Sequence, residues 1–318
     1  MKRKLKVLIP VIFASIAMTG CDLFGSSDEV SGYYKGYNLN LKGQKLEQEL
    51  QKLCFAKHVN WVQYGQVNTY FKKTEKEGGG YRNSAEAIKD GSEYNEYFYT
   101  GKQDAGHGTR EHVWPCARSS DLWYRDTKIP AHDIKKDSYV GGGSDLYHVR
   151  TCDSVINTAR GDSKFCNFKD QSAAIQAEVE EVSEYGGKYT LKVQGGGKNA
   201  SSGNYEYADL AEPNDKMKGD VARILLYVYI HYKDRGITPE GEVKSGSITY
   251  HYYEFVGGLN LSNIMGYKDL SKAQKVLKEW NELDPPSKVE KTRNNTVQRI
   301  QGNRNPFVDH PELVNQLF

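Results

Sequence analysis

The 318-residue chain lacks a surplus of charge of either sign, any internal repeat, and any second long apolar run. It has 43 Lys and Arg against 41 Asp and Glu, and four of the basic residues lie among the first twenty positions. The rest is close to neutral, so bulk charge gives no argument for a polyanionic partner. A nucleic-acid binder of this composition needs a local basic groove instead. No heptad array is present, which excludes a coiled coil. With a mean hydropathy of −0.72, nothing after the first twenty residues is apolar and long enough to cross a bilayer as a helix. What remains is long enough to bury a sizeable core as a globular domain.

The N-terminus is where apolar residues are concentrated. Lys2, Arg3, Lys4 and Lys6 precede an apolar stretch from Val7 to Met18, and Thr19-Gly20-Cys21 follows. A basic start, a short apolar run and a small-residue exit form a secretory signal. Small residues before Cys form the pattern read by lipoprotein signal peptidase, so residues 1–20 are expected to be removed and Cys21 lipidated. An ordinary cleaved signal with a coincidental Cys is the alternative. Residues 21–31 read as a tether, and 32–318 as the functional domain. Cysteine is scarce. Besides Cys21 there are Cys54, Cys116, Cys152 and Cys166. Four cysteines in an exported chain suggest two disulfides with three pairings available, and free thiols are the alternative.

Periodicity predicts several elements. Leu41–Phe55 carries a helical stripe. The aromatic run Tyr97-Phe98-Tyr99 reads as a short strand. Asp153–Arg160 reads as a helix capped by Asp153, and Glu184–Gly197 as a hairpin. Val221–Tyr232 reads as a buried helix. Ser271 is expected to cap a helix that Pro285-Pro286 stops. A helix from about Val289 to Ile300 follows, and a last short one is capped by Asp309. The class is α+β, mostly helical.

Two segments carry chemistry: Arg110–Pro115 (REHVWP) and Ser144–Arg150, continuing to Gly161. Pro115 forces a turn beside adjacent Glu111 and His112. Glu is a hard oxygen ligand suited to Mg²⁺, and Asn can add an amide oxygen. His titrates near neutrality and can take a proton from water. Arg can clamp phosphate. The inventory suits phosphodiester hydrolysis, although a Glu-His pair alone is a weak signal.

Four ordered segments resemble the endonuclease I family of secreted and periplasmic bacterial nucleases, with a ββα-metal (His-Me finger) core. They are Arg110–Pro115; Asp145-Leu146-Tyr147-His148-Val149-Arg150 with Asp153, Asn157, Arg160 and Gly161; Lys218–Arg223; and Gly302–Glu312. The resemblance implies His112 as general base, Glu111 and Asn157 as ligands of one Mg²⁺ (Mn²⁺ or Ca²⁺ substituting), and Arg160 as a phosphate contact. It implies low-specificity endonucleolytic cleavage that leaves 5′-phosphates. DNA, duplex or single-stranded, is the default substrate, with RNA as a second. Asp145 and His148 are read equally as groups orienting the site or as buried hydrogen-bonders. Arg110, Arg150 and Arg304 are candidate nucleic-acid contacts, with Asn303–Asn305 alternatively a structural loop. Trp114 and Trp280 are expected in the core. Tyr147 stands where the family commonly has His, which puts the orientation of the site in doubt. A lipid on Cys21 would hold a monomeric enzyme on the outer face of a membrane. The alternative reading is a catalytically impaired surface lipoprotein that binds nucleic acid.

Overall fold

The computed structural model describes residues 27–74, 95–104, 108–118, 140–195, 209–233, 241–245, 248–252 and 259–318. The signal, the lipidation position Cys21 and residues 119–139 lie outside the described residues. Among the described residues, no helix is long and apolar enough to cross a membrane.

The fold is mixed α+β. Eight of the helices among the described residues frame it: α1 (Gly43–Lys57), α2 (Val67–Thr74), α3 (Ser154–Arg160), α4 (Lys218–Tyr232), α5 (Leu270–Leu283), α6 (Lys288–Gln301), α7 (Pro306–Asp309) and α8 (Leu313–Leu317). Helix α4 is the central post. Thirteen of its residues are buried, including Val221, Leu225, Leu226, Val228 and Ile230, so it is apolar on nearly every face. It packs against α5 and α1. From α1 it receives Leu46, Leu50 and Leu53, and from α5 Ala273, Val276, Leu277 and Trp280. Fully burying one such Leu contributes about 1.5–3 kcal/mol. The start of α4 meets the end of α5 closely. A Cβ on Gly219 would lie 1.8 Å from the Asp284 carbonyl oxygen, so only glycine fits there.

Strands are short. β1 (Asn95–Glu96) pairs antiparallel with β2 (Gln103–Asp104), and β3 (Thr109–His112) with β4 (Val149–Cys152). A four-stranded sheet has the order β5 (Lys164–Phe165), β8 (Leu210–Glu212), β7 (Leu191–Gln194), β6 (Val179–Val182), parallel only between β5 and β8. A hairpin forms as expected, but its first strand, β6, lies before the expected Glu184–Gly197 range, which holds the turn and β7.

Several expectations are corrected. Tyr97–Tyr99 is not a strand: the chain turns there, with Tyr99 at φ 70°. Helix α5 is capped by Asp269, whose side chain accepts from the Ser271 N–H, so Ser271 is inside the helix. The expected last short helix is α8, but Asp309 does not cap it: Asp309 ends α7, which Asn305 caps, and Glu312 stands at the start of α8. The two expected disulfides are not formed: Cys54, Cys116, Cys152 and Cys166 are thiols outside any disulfide. Their thiols are dispersed through the structure. Cys54 lies in α1, Cys152 points to the Phe98 carbonyl, and burial pushes the Cys166 thiol up to about 12.

Candidate active site

Strand β4 leads through one residue into α3, which packs back on β3, so β3, β4 and α3 form a ββα unit. Asp153 bridges β4 and α3, and its side chain accepts from the N–H groups of Val155 and Ile156 as the N-cap. Gly108 opens β3 at φ +58°, where a Cβ would lie 2.4 Å from the Cys152 carbonyl oxygen. Register places Glu111 opposite Arg150 and His112 opposite Val149. Alternation along β3 sends Arg110 and His112 to one face and Glu111 to the other. The result is a half-buried imidazole beside a buried carboxylate, 1 % exposed.

His112 is oriented by its Nε2, 2.8 Å from the Gly143 carbonyl oxygen. A carbonyl can only accept, so Nε2 carries the proton and Nδ1 keeps the lone pair of the neutral ring. The Tyr64 ring lies nearly parallel to the imidazole, centroids 6.0 Å apart. The Arg110 guanidinium sits 4.2 Å over the same Tyr64 ring, and its Nε donates to Asn68. The turn before α2, and α2 itself, therefore prop the His112 face.

Glu111 accepts a hydrogen bond from the Tyr99 hydroxyl at 2.8 Å and lies 3.5 Å from Arg160 Nε. Burial pushes its carboxyl above the usual range, while Arg160 and then Tyr99 pull it back. The positive φ of Tyr99 costs of order 1–3 kcal/mol. That local strain accompanies delivery of a fully buried phenol to the Glu111 carboxylate. Asn157 donates its amide N–H to Thr109 Oγ1 and, at 3.3 Å, to the Arg110 carbonyl. With its nitrogen so committed, its oxygen accepts no hydrogen bond among the described residues.

A carboxylate and an amide oxygen on adjoining elements fit a hard, oxygen-seeking cation that keeps several waters, as Mg²⁺ does. The observation that supports the fit is the committed Asn157 nitrogen, which leaves the amide oxygen as the atom for a cation. A second group that could hold a metal consists of His58, Asp145 and His231, whose ligand atoms lie within 4.8 Å of one another. All three are buried. There, His58 Nδ1 and His231 Nε2 are already 2.9 Å apart, in hydrogen-bond contact. Asp145 Oδ2 accepts from the hydroxyls of Tyr227 (2.6 Å) and Tyr232 (2.7 Å), and Oδ1 from Gln301 and the Tyr147 N–H. A carboxylate accepting four hydrogen bonds has little ligand capacity left.

The remaining predicted residues divide sharply. His148 is fully buried. Its Nδ1 donates to the Gly142 carbonyl, and its Nε2 accepts from the Trp114 N–H. It thus ties the exit of β3 to the turn whose next carbonyl, Gly143, holds His112. Burial lowers its pKa to about 4, so the ring is neutral. Asp145 belongs to the buried tyrosine network, accepting from Tyr227, Tyr232 and Gln301. Arg160, expected at the phosphate, is held inside the fold. It is fully buried, and its NH groups donate to the carbonyls of His112, Val113 and Gly161, bracing the β3 exit and countering Glu111. Arg304 is likewise corrected as a nucleic-acid contact. Only 2 % exposed, it is locked bidentate to Asp309 at 2.6 Å and reaches Gln298 with its remaining nitrogen. Arg110 is half-buried, and Arg150 lies over the Phe98 ring at 4.5 Å. The Tyr147 hydroxyl bonds the carbonyls of Asn294 and Asn303, away from the site. Trp114 and Trp280 are core residues. Tyr99, Tyr64, Asn68 and Gly143 escaped sequence reasoning because no motif marks them; only folding brings them to Glu111, Arg110 and His112.

Comparison with known proteins agrees with this geometry. The "Extracellular ribonuclease" of Bacillus subtilis (strain 168) is 30 % identical over 220 residues, 68 % of this chain and 55 % of the relative. That of Bacillus amyloliquefaciens is 31 % identical over 216 residues, 67 % and 54 % of the two. The chain spans about half the length of these curated relatives. The profile of the Endonuclease I family matches residues 42–312, which covers the ββα unit, the central helix and the C-terminal loop, and the chain belongs to that family.

Proposed function

We propose that the protein is an endonuclease that hydrolyses phosphodiester bonds of nucleic acid with His112 as general base. The observation that carries the reading is the His112 ring, whose Nε2–H is held by Gly143 so that Nδ1 is the basic nitrogen. Nδ1 takes the proton from the attacking water, and the pinned ring needs no reorientation as it does so. Glu111 and Asn157 would hold a divalent cation, Mg²⁺ by the chemistry of the donors. When bound, it supplies Lewis-acid polarisation of the phosphate and stabilises charge on the leaving oxygen. Tyr99 and Arg160 keep Glu111 in place. Arg110, stacked on Tyr64 beside His112, is the cation placed to meet the substrate backbone. Departure of the 3′-oxygen leaves a 5′-phosphate.

The relatives' names bring RNA forward as a substrate beside DNA. Contacts to phosphate rather than bases favour low sequence specificity. The relatives are named as extracellular, which suits export, and a lipid on Cys21 would retain a monomeric enzyme at a membrane surface. The test is cleavage of plasmid DNA and of unstructured RNA in Mg²⁺ and in EDTA, with His112→Ala beside the wild type. Cleavage lost in EDTA and in the variant is expected. Salt-sensitive binding without cleavage by the wild type would replace the enzyme with a nucleic-acid-binding lipoprotein.

A further inference from the structure

His112 is enclosed by two circuits of chain and contacts, and both pass through one buried turn, Gly142–Ser144. Within that turn the Gly143 carbonyl oxygen lies 2.8 Å from His112 Nε2. The first circuit runs along the chain from His112 to Trp114, whose N–H donates to His148 Nε2 at 2.9 Å. His148 Nδ1 then donates to the Gly142 carbonyl at 2.6 Å, one residue from the carbonyl that meets His112. The second circuit leaves the other end of the turn. Ser144 Oγ donates to the Val62 carbonyl at 2.6 Å, and two residues beyond Val62 the Tyr64 ring lies along the His112 imidazole.

A carbonyl orients an imidazole only as firmly as its own peptide is held. Gly142 and Gly143 have no side chains to pack, and glycine backbone is the freest to move. The backbone hydrogen bonds inside the turn are long, 3.1 Å from Ser144 to Gly141 and 3.3 Å from Asp145 to Gly142. The short bonds come from His148 and Ser144. His148 is fully buried and Ser144 is 1 % exposed, so neither meets a substrate and each acts through the turn.

We propose that His148 and Ser144 are positioning residues for the general base: by clamping the Gly142–Ser144 turn from both ends they fix the direction in which the His112 ring faces the attacking water. The proposal rests on the nuclease reading. A misplacement of about 1 Å can cost about 10²-fold in rate, so a firmly held turn matters to turnover without touching the substrate.

The test is steady-state cleavage of plasmid DNA and unstructured RNA in Mg²⁺ by the full chain and its variants, each assayed well below its own melting temperature. His148→Leu is expected to lower kcat and kcat/KM together by about 10- to 100-fold, and Ser144→Ala to do so by less. His148→Asn, whose amide nitrogen can donate to Gly142 in place of Nδ1, is expected to recover most of the loss. In a His112→Ala background His148→Leu should cost nothing further, because the ring it positions is gone. If His148→Leu does not fold, Ser144→Ala carries the same readouts. Unchanged kcat in these variants, an asparagine no better than leucine, or a full further loss in the His112→Ala background overturns the proposal. A second readout needs no turnover. In ¹⁵N NMR at about pH 8.5, above the usual histidine range, wild-type His112 is expected to keep its proton on Nε2, and His148→Leu to average it between the two nitrogens. That NMR result without wild-type cleavage would sink the nuclease reading and keep the positioning role; wild-type cleavage with neither kcat nor the ring signal altered would do the reverse.

Discussion

Histidine occupies two contrasting settings in this molecule. His112 is half-buried, held at one nitrogen by a single carbonyl and flanked by Glu111 and Asn157, whose oxygens retain capacity. His58 and His231 are buried against Trp61, Tyr227 and Tyr232, beside an Asp145 that accepts from two phenols, an amide and a backbone N–H. Both clusters contain an imidazole and a carboxylate, and composition cannot separate them. The carboxylates can. Asp145 spends its hydrogen-bonding capacity inside the protein and specifies structure, whereas Glu111 accepts one hydroxyl at Oε1 and retains capacity for a ligand.

The sharpest break between the two is activity against stability. His112→Ala is expected to lower cleavage by about 10²–10⁴-fold, the scale of a lost general base, while the melting temperature stays near the wild type's. Asp145→Ala is expected to do the opposite in kind. It strands the hydroxyls of Tyr227 and Tyr232 and the Gln301 amide, and should cost about 3–5 kcal/mol in urea unfolding. A stable, fully folded Asp145→Ala protein with no activity would place Asp145 in the chemistry and blur the distinction.

His148 bridges the two settings and gives a pH-dependent test. Its folded pKa, about 4, lies below the usual 6.5, so the unfolded chain binds a proton that the native ring refuses. Stability therefore rises with pH between about 4 and 6.5 and is lost on acidification through that window. The contribution is of order 3 kcal/mol. Urea melts at pH 7 and pH 4.5 read it, and His148→Gln is expected to flatten the slope. An unchanged slope in that variant would assign the acid sensitivity elsewhere.

The smallest effect concerns arginines. Arg110→Ala is expected to reduce the salt slope of nucleic-acid binding by about 1, the mark of one lost phosphate contact. Arg304→Met should leave that slope unchanged while lowering stability, because its guanidinium is committed to Asp309 and Gln298. Equal slopes for both variants would remove Arg110 from the proposed interface.

Much of the fold was legible because its signals are local. The apolar residues of α4, the Asp153 cap of α3 and the Gly-containing β6–β7 hairpin depend on neighbours a few residues away. The Tyr97–Tyr99 turn was misread because aromatic composition favours a strand, while the tertiary demand to bring Tyr99 to Glu111 overrides that propensity. The arginines were misread for a related reason. Arg is chemically fit for phosphate, and the same planar fork equally suits buried carbonyls and carboxylates. Residue type does not reveal which partner folding supplies.

By itself the sequence determined the α+β class, the order of the major helices, and the adjacency of Glu111 and His112 before a proline-forced turn. These follow from periodicity, capping and covalent geometry, all short-range. Only the tertiary structure decided that His112 Nε2 meets the Gly143 carbonyl, that the Asn157 amide nitrogen is taken by Thr109, that Arg160 and Arg304 are buried, and that the cysteines stay apart. Each of these depends on partners distant in sequence, such as Gly143 for His112 and Thr109 for Asn157. The burial that removes water is what makes those partners obligatory.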